Sequence, residues 1–566
     1  VVGFLLQCLA LCQKFNTIFP QNIVAISSIG IDGIPQSAQD IITNKYYRSF
    51  SMPVNRISRL LALTLFTLTG IFTQPAFAQV GEYCQFEKEA IAHKDQLRMA
   101  AFQENDKRGN SDKIAARKEY QALVQQHNQD LNTCRQKSWL KTQGIWLRLY
   151  PCDLQSGKLE EVMDRIVNRG YNQVFVEVIS NGTILLPMTS NATAWNSLVQ
   201  SEQYKNADLL KLAIDKGRER GIKVHAWLFT MNVGIGYGQG FERNGVSRQT
   251  VARQQALARN GNGDSTISIV ENLGKNPNGE VPTKNQLFID PYNYQAQSDL
   301  YLAAYEVAKR QPDGVAFDYV RYKRGAGAAS VVSNVRYLWI YGQASLAALR
   351  DRAENFQGRE LINRFLKQGY VTPTDLQAVK KLYPEELEPL WQGRRPTGKS
   401  ISDKNPAIAY WQNELWRLVV GHAFMGVIHY LKIVSKPVLQ QGIPASVAFF
   451  SDGNQPVGDG FDSRMQPWHL LPTTYEWRPM AYAICGKPEC IVAQIRRVFQ
   501  YAPEGAEISP ILLGQWNESF RDRPSLELQM QAIHQEFAAI NSISHFSFGW
   551  QTRELAFSRS RQFCKL

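Results

Sequence analysis

The sequence predicts a (β/α)8 barrel with long loops, preceded by a helical hairpin, and three observations predict it. Eight short apolar runs rich in β-branched and aromatic residues follow residue 143. Amphipathic stretches of helical period separate several of them, as a parallel sheet with crossover helices requires. Nearly every run ends in an aromatic, amide or charged side chain, and a purely structural barrel has no need of that. At 566 residues the chain is long for one barrel, but barrels with insertions exceed about 400 residues, and its 44% hydrophobic content supplies a large core.

Taken in order, residues 85–134 carry few strand formers and many Glu, Lys, Gln and Ala. They divide around Asn110, Ser111 and Asp112, where Gly109 stops one helix and Ser111 caps the next. The arms, 85–107 and 112–133, are nearly equal in length, so an antiparallel hairpin brings Cys84 and Cys134 together at its open end. The eight strands are expected at 144–150, 173–179, 223–229, 314–319, 445–450, 477–484, 508–516 and 544–550. Helical segments are expected at 158–169, 207–220, 294–310, 408–434 and 525–541. Two connections are unusually long, 233–286 after the third strand and 323–407 after the fourth, and both leave C-terminal strand ends. The glycines of 234–240 imitate a phosphate loop in composition alone, because no helix start or Lys follows at the required place. The barrel is thus assigned to 141–566 and the hairpin to 79–140.

Residues 1–78 read differently from the rest. From Met52, the basic residues Arg56 and Arg59, an apolar run from Leu60 to Phe72, and Ala76-Phe77-Ala78 have the layout of a secretory signal. Residues 1–51 are then an extension outside the mature protein, which would begin near Gln79 in the periplasm or extracellular space. The apolar run is short and Thr-rich for a membrane span, so no stable span is expected after processing. Six cysteines follow the expected cleavage: Cys84, Cys134, Cys152, Cys485, Cys490 and Cys564. An even count in an exported chain favours disulfides over metal ligation, and a turn could join Cys485 to Cys490. No His or Cys spacing suggests a metal. The formal charge of +13 suits polyanionic surroundings, but it is spread among acids and forms no nucleic-acid motif.

The most informative stretch is 312–322. A turn at Pro312, Asp313 and Gly314 opens a strand that ends on Asp318, with Arg321 and Tyr322 three and four residues later. C-terminal strand ends face the active site in such barrels, so this acid, guanidinium and phenol are placed to meet a polyhydroxylated ligand. Strand parity points Phe175 and Glu177 into the barrel; Glu177 is either a site residue or the ion-pair partner of Arg148. His225 and Trp227 share a face, the first a ligand-binding or a satisfied core histidine, the second a stacking or a filling ring. Asp290 caps a helix or touches substrate. Trp477, Arg478 and Tyr482 lie on the sixth strand, while Asp452, Gln515, Trp516 and Trp550 fall at the ends of the fifth, seventh and eighth. Carbohydrate sites use such side chains, because sugar rings stack on aromatics while hydroxyls take fixed hydrogen bonds.

With these residues assembled, the chain from about 143 to 555 resembles the bacterial glycosyl-hydrolase-like family ten, a group of exported barrel proteins. The marker is 313–322, similar to that family's Asp-Gly-Ile-His-Phe-Asp-Tyr-Ile-Arg-Tyr; Gly144-Ile145-Trp146, the 174–178 run with Leu186-Pro187, 224–227 and 289–291 support it in order. Gln143 stands where that family usually has Arg, and Ala316 where it often has His, departures that bear on substrate more than on fold. The resemblance implies hydrolysis of glycosidic bonds in wall or surface glycans, with Asp318 as the leading catalytic carboxylate, nucleophile or base. A second carboxyl group is needed; Glu177, Asp452, Glu476 and Glu518 are the candidates, Asp452 slightly preferred. Arg148, His225, Trp227, Asp290, Arg321, Tyr322, Trp477, Tyr482, Gln515, Trp516 and Trp550 are the expected substrate contacts. Two carboxylates suffice, so no cofactor is expected. The expected partners are a glycan and, through the 85–134 hairpin, another protein. The alternative reading is a non-catalytic glycan-binding envelope protein.

Overall fold

A computed structural model describes residues 83–102, 110–180, 182–239, 247–267, 286–402 and 406–559. The expected signal at 52–78 lies outside these residues. Eight strands form a closed parallel barrel: β1 (Thr142–Leu147), β2 (Gln173–Glu177), β3 (Lys223–Phe229), β4 (Gly314–Asp318), β5 (Ala445–Phe449), β6 (Tyr475–Ala481), β7 (Ile511–Leu513) and β8 (Ser542–Phe546). Each pairs with the next in sequence, and β8 closes onto β1. All eight lie where alternation and β-branched content placed them. Their ends differ: β6 starts two residues early at Tyr475, and β8 stops at Phe546 before a short helix, Phe548–Gln551.

Parity then stacks the barrel interior in layers. Trp146 stands opposite Phe175, Glu177 opposite Trp227, and Phe229 opposite Asp318. Trp146, Phe175, Trp227, Ala316, Ala448, Met480 and Ile511 fill the middle, and Tyr319, Phe450, Tyr482 and Phe546 pack above them. Below lies a polar layer in which Gln173 bonds His225 at 2.8 Å. Gly314 makes room there, since a Cβ would come 2.3 Å from Nδ1 of His225.

The crossover helices bury their apolar stripes against the strands' outer faces, as expected of a one-sided helix. Helix Lys158–Asn168 turns Leu159, Val162, Met163, Ile166 and Val167 inward. The longest helix, Ile408–Gln440, is the one described helix long and apolar enough to cross a membrane. Most of its apolar length is buried inside this protein. The 323–407 connection carries three helices, Gln343–Arg350, Phe356–Gln368 and Pro373–Leu382. The glycine-rich 234–240 region holds a short helix, Ile235–Gln239, whose Gly236 passes so close to Gly182 that a Cβ would lie 2.6 Å from its carbonyl oxygen.

Two helices, Lys88–Phe102 and Asn110–Lys137, form the hairpin, and Cys84 bonds Cys134 at its open end with Cα atoms 5.8 Å apart. The second helix already includes Asn110, so Ser111 is a helical residue rather than the cap, and Gly109 lies outside the described residues. The hairpin packs on the barrel through a buried ionic cluster. Asp164 accepts from Tyr120 at 2.7 Å, from Arg220 at 2.9 Å and from Arg98 at 3.3 Å. Lys94 is buried beside them, and burial pushes its ammonium down to about 8 even though Asp164 draws it up. A second disulfide joins Cys485 to Cys490, and Cys152 is also disulfide-bonded.

Candidate active site

Asp318 ends β4 inside the mouth, 8% exposed. Its Oδ1 accepts the Tyr319 N–H at 2.6 Å and its Oδ2 accepts the Trp227 indole N–H at 3.1 Å. Tyr319 adopts a left-handed backbone (φ 54°), uncommon for a bulky residue, which turns the chain directly after the acid. Burial pushes the Asp318 carboxyl up to about 6; its hydrogen bonds and Arg321 pull it down, and the charge of Glu177 adds to the rise. Glu177 ends β2 in the same mouth, 2% exposed and paired with Arg148. The pairing raises the Arg148 guanidinium against the lowering effect of burial.

Beside these acids lies a cavity of about 240 Å³, lined by Trp146, Arg148, Tyr150, Trp227, Phe546 and Trp550 among others. Trp227 is both a wall of this cavity and the donor to Asp318. Tyr482 stands near Phe450 and Phe546; burial and the charge of Asp318 push its phenol well above the usual range. Arg321 lies 4.8 Å from the Tyr319 ring and 5.8 Å from that of Phe450. The mouth thus gathers Asp318, Glu177, Arg148, Trp227, Arg321 and Tyr482, with Trp550 on the cavity wall.

The remaining expected contacts are placed elsewhere or occupied otherwise. Tyr322 alternates away from Arg321 and is buried near Tyr292 and Asp290. Trp477 lies on the outer face of β6, packed on Phe449 and Trp468, because odd-numbered positions of that strand point out of the barrel. Trp516 is likewise outside, donating to Tyr171 and packing on Tyr83. His225 sits low in the barrel, kept neutral by burial and by nearby Arg478. Asp290 is a cap, but for a helix other than the next one: it accepts from Ser345 N–H at the start of Gln343–Arg350, while Asn293 caps the helix from Tyr294. Gln515 donates to the Trp550 carbonyl, supporting the cavity from behind.

Among the candidate second acids, Asp452 pairs with Arg464 at 2.9 Å, and that guanidinium also holds Asp462 at 2.6 Å. Glu476 is the second residue of β6, at the opposite end from the mouth, and pairs with Arg478. Glu177 is the one whose charge acts on Asp318. Sequence reasoning passed over Tyr319, Phe450, Phe546 and Tyr150; the period of two from Ala448 to Phe450 could have found the second of them. No group of three or more His, Cys, Asp or Glu residues suited to a metal occurs among the described residues.

The structure is a closed parallel barrel with two acids and an aromatic cavity at the C-terminal ends of its strands. Residues 139–381 match the family model Glycosyl hydrolase-like 10, the family to which the motifs pointed. Glycosyl hydrolase DigH of Escherichia coli strain K12 is 27% identical over 178 residues, covering 31% of this chain and 36% of that protein. The DigH protein of Shigella flexneri gives the same figures, so the chain spans about a third of these relatives. Among solved structures, a GH20 exo-β-N-acetylglucosaminidase from Vibrio harveyi in complex with N-acetylglucosamine has a TM-score of 0.35 at 8% identity, covering 75% of this chain and 55% of that one. A GH18 chitinase from Pseudoalteromonas aurantia has 0.32 at 10%, covering 74% and 100%. Likenesses this weak add nothing to the strand pairing, on which the barrel stands.

Proposed function

We propose that this protein hydrolyses glycosidic bonds, with Asp318 as the proton donor and Glu177 as the ionised carboxylate. One observation carries the reading: two acids share the mouth in environments that push them apart. Burial favours the protonated form of Asp318 near neutral pH, whereas pairing with a guanidinium favours an ionised carboxylate at Glu177. Asp318 would give its proton to the departing glycosidic oxygen as the anomeric bond breaks. Glu177 would attack the anomeric carbon or take a proton from water, according to the spacing of the pair. This reverses the role first expected of Asp318. The cavity walled by Trp146, Trp227 and Trp550 offers faces for a sugar ring.

Export and a wall or surface glycan as substrate belong to the same proposal. The Cys84–Cys134 and Cys485–Cys490 bonds support an oxidising compartment. The hairpin spends its buried polar residues on the barrel of its own chain, so a protein partner would meet only its outer face. The test is release of reducing ends from wall glycan and other polysaccharides by the full chain, compared with Asp318→Asn. Turnover lost in the variant supports the reading; no turnover by either protein overturns it. A second reading, a non-catalytic glycan-binding envelope protein, is favoured by the burial of Glu177 against Arg148. It requires glycan retention without new reducing ends.

A further inference from the structure

Trp550 belongs to more than the cavity. Its ring meets that of Phe546, a fellow wall residue, edge-on with centroids 5.4 Å apart. It also packs on Phe520, which is not part of the wall, at 5.2 Å. The Arg521 guanidinium lies 5.2 Å from the Phe520 ring and 5.6 Å from the Trp550 ring, and that of Arg553 lies 5.8 Å from Phe520. Both arginines are exposed, and both rings are half-buried. The aromatic wall therefore runs on past the cavity toward solvent, edged by guanidinium groups.

The turn that carries this rim is strained. Phe520 and Arg523 exchange backbone hydrogen bonds at 2.9 and 3.1 Å, and between them Arg521 and Asp522 both have positive φ, 49° and 56°. That is the pattern of a type I′ turn, whose central positions ordinarily hold Asn, Asp or Gly. Asp522 suits it, whereas Arg521 has no short polar group to ease the left-handed conformation. A residue kept in a disfavoured conformation points to a use for its side chain. The turn is also fixed at the mouth. Arg523 donates to the Tyr482 carbonyl, directly after β6, at 2.8 and 3.2 Å, and the Gly486 N–H donates to the Asp522 carbonyl at 2.7 Å. With Gln515 holding the Trp550 carbonyl at 3.0 Å, the loops after β6, β7 and β8 present the rim as one surface.

We infer that Phe520, Arg521 and Trp550 form a second sugar-binding subsite on the rim of the cavity, so that the protein takes glycan strands in preference to disaccharides. The cavity, about 240 Å³, is smaller than the roughly 300–1,000 Å³ that encloses a drug-sized ligand. It suits one sugar ring, and the next units of a strand must lie outside it. The rim is continuous with the cavity through Trp550, and it offers what those units need. Half-buried rings meet the apolar faces of a sugar, and the planar guanidinium donates to its hydroxyls. The inference rests on the proposed glycan-directed function of the mouth and adds the length of glycan.

The test is calorimetric binding of wall-glycan strands sorted by length, a disaccharide against an octasaccharide, by the full chain carrying Asp318→Asn so that the strands stay whole. We expect the octasaccharide to bind at least about tenfold more tightly, the effect of covering one aromatic face. Phe520→Ala and Arg521→Gly, each added to that chain, should bring the ratio within about threefold. Arg521→Gly should do so without lowering the melting temperature, because glycine accepts positive φ; a merely structural arginine would not separate binding from stability in this way. If Phe520→Ala fails to fold, Arg521→Gly alone decides. Equal binding of the two lengths, binding of neither, or a ratio unchanged in a folded variant overturns the subsite. A length preference with no reducing ends released by the unsubstituted chain would keep the rim and sink hydrolysis; cleavage with no length preference would do the reverse.

Discussion

Trp227 donates its indole N–H to Oδ2 of Asp318 at 3.1 Å while its ring walls the aromatic cavity. One side chain therefore couples the protonation of the acid to the space where a sugar would stack. Trp227→Phe keeps the ring and removes the donor. A donor to a carboxylate favours its charged form, so its loss should raise the Asp318 pKa from about 6. A proton donor loses activity as pH rises through its pKa; the basic limb of the kcat profile should then move upward by about one unit. A limb that stays in place would belong to another group.

Asp318 also makes a stability prediction. Its folded value of about 6 lies above the ordinary 3.8. The folded state therefore holds the proton more tightly, and stability present below about pH 4 is lost as pH rises through 6. Asp318→Asn carries no charge to desolvate. Its melting temperature relative to the parent should rise between pH 4 and 7, while turnover falls by about 10²–10⁴. Scanning calorimetry across that range checks the first part and reducing-end assays the second.

The Asp164 cluster holds the hairpin to the barrel. Removing the acid leaves Lys94, Arg98 and Arg220 buried around a missing counter-charge. Asp164→Ala should destabilise the protein by about 3–5 kcal/mol, read by urea unfolding. A change under about 1 kcal/mol would mean that water reaches the cluster freely.

The two described disulfides should differ in weight. Cys84–Cys134 closes a separation of 50 residues and Cys485–Cys490 one of 5. The chain-entropy account assigns about 4 kcal/mol to the first and about 2 kcal/mol to the second. Paired Cys→Ser variants, compared by thermal unfolding, should show the larger drop for the hairpin bond. Equal drops would point to native-state contacts rather than loop closure.

The barrel was legible because its signals are local. Alternation along 173–177 or 223–229 comes from a side-chain period of two, and the same parity correctly turned Glu177 and Trp227 inward. The meeting of Cys84 with Cys134 followed from expecting two antiparallel arms, although the described helices hold 15 and 28 residues. Partnership was not legible in the same way. Asp452, Glu476 and Glu177 look alike along the chain. Only the closed barrel joins the first to Arg464, puts the second at the far end, and sets the third where its charge reaches Asp318. Trp477 packs on Phe449 outside the lumen, where a one-residue change of parity on its strand would have turned it inward, and Trp516 bonds Tyr171 instead. By itself the sequence determined which segments become strands and helices, since period and backbone preference act within a few residues. The tertiary structure alone decided which charges are matched, as Glu177 is with Arg148 and Asp452 with Arg464, because desolvation and Coulomb attraction depend on distance in space.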